Sequence, residues 1–187
     1  MAVNVDLIRA YTDGLVACSG FQVINATLPE SASSALDAAF SEIGSVSADG
    51  ITEQINQSTT DVYQWQNNAL VRTIKGAHTK TFTFEAQETN LVVLGVQFPG
   101  STITPTAEGL TIAEKPPVPD VRNWVFHGID GTRALRLVIP RGEVTERGDV
   151  VWSANDVTIY AWTLRCYVDT SGNVAYRYYL DSALAGS

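Results

Sequence analysis

Phe40-Ser-Glu-Ile-Gly-Ser-Val-Ser-Ala-Asp-Gly-Ile-Thr-Glu53 is the stretch on which the fold turns. Ala48-Asp49-Gly50 is a turn signal, because glycine after aspartate accepts backbone angles that other residues resist. Ile51-Thr52-Glu53 then opens an alternating strand, with successive side chains sent to opposite faces. Nothing in the stretch has the residue types of a catalytic motif.

Alternation continues downstream of it. In Thr81-Phe-Thr-Phe-Glu-Ala86, Phe82, Phe84 and Ala86 share one face and Thr81, Thr83 and Glu85 the other, the pattern of a half-buried strand. Val121–Gly128 and Ala134–Pro140 are expected to pair across Ile129-Asp-Gly-Thr132, a hairpin turn. Asp156–Val168 alternates over its whole length, with Tyr160, Trp162, Leu164, Cys166 and Val168 on one face. After the turn Asp169–Asn173, the segment Val174–Leu180 is expected to return as its antiparallel neighbour. Lys115-Pro-Pro-Val-Pro119 is a stiff connector, since proline donates no ladder bond. Thr89–Gln97 admits two readings: Thr89 or Asn90 can cap a short helix, yet its valines favour a strand. Apolar bulk on both faces points to a mainly β, two-layer sandwich. Residues 1–34 are small and polar and are expected to form an extended arm with one strand, Phe21–Ala26, leaving residues 35–187 as a single domain.

Composition narrows the function. Hydrophobic residues make up 45% and charged residues 17%, which is globular rather than disordered. So little charge leaves neutral polar surface suited to packing against further copies. Residues 1–64 hold eight acids against Arg9 alone, whereas residues 65–187 hold twelve acids against eleven bases. The net charge of −8 repels phosphate backbones, so tight nucleic-acid binding is not expected. A conduit that DNA must slide through benefits from the same repulsion. Met1–Ala10 lacks the basic start and apolar core of a signal peptide, and no run reaches the ~18 apolar residues of a membrane helix. The chain is therefore expected to be made and kept in a cytoplasm, where the glycosylation patterns at Asn25 and Asn56 have no meaning.

Chemical signatures are missing. The two histidines, His78 and His127, lie in no ligand-spaced cluster, and HExxH, CxxC, GxSxG and phosphate-loop patterns do not occur. Glu85 and Glu88, if extended, face opposite sides, which defeats a paired-carboxylate mechanism. Cys18 and Cys166 lie far apart and are expected to be buried free thiols. The expectation is no catalytic residue, no metal and no cofactor. Trp65, Trp124, Trp152 and Trp162 fit core or subunit interfaces best, and a carbohydrate-binding platform of Trp65, Trp124 or Trp152 is the alternative.

The opening stretch resembles a segment of the tail tube (major tail) proteins of long-tailed bacteriophages. There, an aromatic, acidic, aliphatic-glycine run leads through Ser-x-Asp-Gly into aliphatic-Thr-Glu and opens a long hairpin. Trp65-Gln-Asn-Asn-Ala-Leu-Val-Arg72 resembles the returning arm of that hairpin. Phe82–Asn90 resembles the strand that runs into the family's helix. Glu143–Asp149 followed by Asp156–Leu164 resembles its C-terminal hairpin. The matches run in family order from about Leu36 to Asp181.

The resemblance implies a phage tail tube fold: a β-sandwich or rolled β-barrel with one flanking α-helix, placed at Thr89–Gln97, and a long hairpin. It implies a structural virion protein, made and assembled in the host bacterial cytoplasm. Six copies would form a ring, and rings would stack into a tube that conducts DNA without binding it. A tape-measure protein would fill the lumen beforehand, with tail terminator and tail-tip proteins at the ends. The long hairpin is expected from Ile51 to Trp65, with flanking residues to Val71. Ile51, Gln54, Gln57, Tyr63, Trp65 and Gln66 are its candidate stacking and lumen residues, and Glu53, Asp61 and Glu85 the candidate lumen acids. The arm 1–34 is expected to be loose in a monomer and ordered in the tube. Ser47–Gly50 and Glu88–Asn90 favour a long non-contractile tail over the related rings of contractile injection systems. The family often adds an immunoglobulin-like domain at the C-terminus, and none is expected here.

Overall fold

The computed structural model describes residue 4 and residues 7–184. Its strands are β1 (Asp13–Ser19), β2 (Phe40–Glu42), β3 (Thr52–Tyr63), β4 (Leu70–Ala86), β5 (Thr102–Thr106), β6 (Gly109–Ala113), β7 (Val121–Asp130), β8 (Arg133–Arg147), β9 (Tyr160–Cys166) and β10 (Tyr176–Leu180). One helix, α1 (Leu91–Gln97), follows β4, and a short 3-10 turn covers Ser182–Leu184. The main sheet runs β2-β1-β7-β8-β9-β4-β3, with β10 added beside β8, and β5–β6 form a separate hairpin. Every described pairing is antiparallel.

The sheet folds on itself at a bulge in β8. Arg122 pairs with Gly142 and Trp124 with Ile139, so Pro140 and Arg141 supply one residue more than β7 does. Proline tolerates this position because a bulge frees it from donating to the ladder. Gly142 beside it is required by close approach: a Cβ there would lie 2.8 Å from the Trp124 ring. On one side of the corner β8 pairs with β10 over Ala134–Val138, and on the other with β9 over Gly142–Arg147.

The two halves then face each other. Phe82 and Phe84 of β4 meet Phe126 and Trp124 of β7 edge-on at 5.1–5.9 Å, and Phe84 also meets Trp162 of β9 at 5.7 Å. Edge-to-face pairs add about 0.5–1.5 kcal/mol each beyond area burial. The expected faces hold: Phe82, Phe84 and Ala86 are buried, as are Tyr160, Trp162, Leu164 and Cys166. Both cysteines are buried free thiols, and burial pushes Cys18 up to about 11 and Cys166 to about 12.

Helix α1 closes one flank of the core with Val93 and Val96. Its Asn90 cap accepts from the Val93 N–H at 2.9 Å and donates to the Ile43 carbonyl at 2.9 Å. At the other end, Arg122 and Arg147 donate to the carbonyls of Gly95 and Val96, supplying partners and positive charge where the helix lacks both. The fold is thus a mainly β roll with one flanking helix and a long hairpin. It is not a closed barrel: among the described residues a single bridge, Val46–Ala86, joins the segment after β2 to the end of β4.

Three strand expectations change. The first strand is Asp13–Ser19, paired with β7 and β2, and Phe21–Ala26 forms none. Strand β9 starts at Tyr160 and ends before Val168, which is exposed. Strand β10 pairs with β8, not with β9, because β4 and β8 already occupy both edges of β9. The β5–β6 hairpin gave no signal in the sequence reading, whereas the proline-rich connector 115–119 lies outside every strand.

Candidate assembly surface

Strand β9 stops at Cys166, opposite Lys80, so from there outward β4 has only β3 as a partner. All of β3, and β4 from Leu70 to His78, is exposed. A two-stranded ribbon therefore projects from the sheet with both faces and both edges unpaired. Ladder bonds alone barely hold such a ribbon in water. Ser58 and Gly76 sit where the register shifts, and a Cβ on Gly76 would meet the Ser58 hydroxyl at 2.4 Å. Gln57 donates to the Gly76 carbonyl at 2.6 Å, stitching the irregular point.

At the tip, Asn67 and Asn68 take positive φ of 61° and 52°, angles that asparagine tolerates better than most residues. Gln64 donates from its backbone to the Ala69 carbonyl at 3.0 Å and from its side chain to Asn67 at 2.6 Å. The turn is thereby held, and it presents Trp65 at 95% exposure. Ile55, Val62, Tyr63, Leu70, Val71 and Ile74 are exposed along the ribbon. An apolar series of this kind on a projecting element marks an interaction surface. Arg72 and Lys75, on the outer part of β4, have no ion-pair partner among the described residues, and Asp61 accepts from Thr73 at 2.7 Å.

The root is held differently. The Lys80 ammonium lies 2.6 Å from Glu53, and Arg177 of β10 donates to the other Glu53 oxygen. Lys80 also sits 5.5 Å above the Phe82 ring. Partial burial disfavours the Glu53 charge, but the bonds from Arg177 and Lys80 outweigh it and hold the carboxyl below its ordinary value of 4.5.

The structure thus separates the candidate residues. Tyr63, Trp65 and Gln66 gather at or beside the tip, Gln57 lies along the ribbon with Asp61, and Gln54 pairs with Thr81 near the root. Ile51 precedes β3 and is exposed. Glu85 lies at the far end of β4, half-buried, opposite Ala161. Sequence reasoning missed the two cations around Glu53, because Arg177 reaches it only through the pairing of β10 with β8. It also passed over Arg72 and Lys75, although both are legible as cations in an otherwise acidic chain. Trp124, at 1% exposure, offers no platform for sugars, while Trp152 is 89% exposed on a loop. Among the described residues no group of three or more His, Cys, Asp or Glu could hold a metal ion, and no helix is long and apolar enough to cross a membrane.

The chain is thus a mainly β roll from which an unpaired ribbon extends. Residues 7–181 match the phage tail tube protein family, and the chain belongs to that family. It is accordingly a non-enzymatic structural component of a virion tail. No curated protein matches it. Similar solved chains occur in the virion of a native gene transfer agent particle, at 13% identity and a TM-score of 0.47, covering 87% of this chain and 96% of that one. Another is in the tail of an empty gene transfer agent particle with C6 symmetry (13% identity, TM-score 0.45, 87% and 96% covered). A third is in the baseplate of the anti-feeding prophage (13% identity, TM-score 0.44, 91% and 95% covered).

Proposed function

We propose that the chain is the repeating subunit of a phage tail tube, in which hexameric rings stack around a lumen that conducts DNA during ejection. Family membership over residues 7–181 supports this reading. The observation that carries it is the β3–β4 ribbon, whose exposed apolar residues and free edges call for a partner outside the chain. Contact between identical copies at two different surfaces propagates into a ring or a filament. Ile51, Gln54, Gln57, Tyr63, Trp65 and Gln66 are assigned to stacking and to the lumen wall. Asp61 and Glu85 are assigned to the lumen as acids that keep DNA mobile. Glu53 is assigned there too, with its charge balanced by Lys80 and Arg177. A tape-measure protein occupies the lumen before DNA does, and tail terminator and tail-tip proteins close the ends. The parts of segment 1–34 outside β1 are assigned as the arm that orders on assembly, since β1 is already buried in the core.

Negative-stain electron microscopy of the concentrated protein tests this directly. Hollow tubes or stacked six-fold rings are expected. Monomers that persist even when tail-tip extract is added would overturn the reading.

A further inference from the structure

The rolled sheet leaves a cleft of about 880 Å³ beside β1 and the root of the ribbon. That volume falls in the range, about 300–1,000 Å³, of sites that enclose a compact ligand. Val16, Phe82, Phe126, Leu135 and Leu137 line it, giving it an apolar floor. Asp13, Glu42 and Glu88 also line it, are exposed, and have no ion-pair partner among the described residues.

The ribbon is the opposite in both respects. Its tip offers Trp65 flanked by Tyr63, Leu70 and Val71, all exposed. Its outer part carries Arg72 and Lys75 against the single acid Asp61, in a chain of net charge −8. A rigid aromatic anchor seated on an apolar floor and ringed by opposite charge is the anatomy of an interface hot spot. The ribbon projects away from its own body, so a second copy is the occupant that supplies this complement.

We infer that the cleft receives the ribbon tip of a neighbouring copy, with Trp65 on the apolar floor and Arg72 and Lys75 among Asp13, Glu42 and Glu88. This deepens the tube reading and rests on it for the identity of the partner. It makes each chain both donor and acceptor, so that the contact repeats without self-limiting.

The test places Ala48→Cys, on the cleft, and Gln66→Cys, at the tip, in one full-length chain. Both positions are exposed and the native thiols are buried, so folding and background are controlled. Oxidation should give a ladder of disulfide-linked oligomers on a non-reducing gel that neither single variant gives. In the same background, R72E/K75E and D13K/E42K should each reduce cross-linking at least about tenfold, and a mixture of the two should restore it. Parallel micrographs separate the two claims. Tubes without the ladder overturn this inference and leave the tube reading standing. A ladder of small oligomers without tubes does the reverse, and neither product overturns both. A disulfide closed within one chain, or no restoration on mixing, also overturns the inference.

Discussion

Glu53 shows how one carboxylate serves position rather than chemistry. It joins the ribbon root to β10 through Arg177 and gives the buried Lys80 ammonium a partner. Glu53→Gln leaves Lys80 without a counter-charge and should cost about 1–3 kcal/mol at neutral pH, read by chemical denaturation. The pH dependence has a fixed sign. The folded-state value lies below the ordinary 4.5, so the stabilisation is present above 4.5 and is lost as pH falls through the folded value. The gap between wild type and variant should therefore be full at pH 7 and shrink as pH falls below 4.5. A gap that does not change over that fall would show that packing, not charge, accounts for it. The sequence marked Glu53 as an acid on a hairpin; it held no sign of Arg177, since nothing local links positions so far apart.

At the scale of elements, period-two alternation decides burial. Phe84 packs on Trp124, Phe126 and Trp162, whereas neighbouring Thr83 faces outward. Phe84→Ala should destabilise by about 3–5 kcal/mol and Thr83→Ala by about 0.5 kcal/mol or less, read as shifts in the urea midpoint. Similar shifts would mean that the strand faces are misassigned. These faces were legible in advance. The long hairpin came from the family resemblance, which put residues 65–72 on its returning arm; in the structure residues 65–68 form the turn itself and β4, Leu70–Ala86, is the returning strand. The helix was undecided between Asn90 as a cap and its valines as a strand until the family resemblance placed it. In the structure the cap prevails, because the arginines at positions 122 and 147 satisfy the last carbonyls from outside the segment. The partner of β10 was not legible: alternation reports which face is buried, never which edge is free.

At the scale of the whole molecule, unpaired surface awaits a neighbour. The arm proposed at 1–34 includes β1, whose Val16, Ala17 and Cys18 are buried in the core. The remainder is exposed over much of its length and is held to the body by bonds such as those from Arg136 to the carbonyls of Ser31 and Ser34 and from the backbone of Gln22 and Ala26 to Asp120 and Asn123. Limited proteolysis should cut the free monomer within 1–34, outside β1, and spare the assembled tube there. Equal cutting of both would remove the arm from assembly.

Local pattern alone determined a mainly β chain and the burial face of its main aromatic strands, because turn chemistry and period-two alternation act over a few residues; the long hairpin and the structural role came with the family resemblance. Tertiary structure decided the corner at Pro140, the edge that takes β10, the ion pairs that root the ribbon and the acid-rimmed cleft. Each of these depends on which edges and charges remain unpartnered once the sheet has rolled, a property that no segment carries by itself.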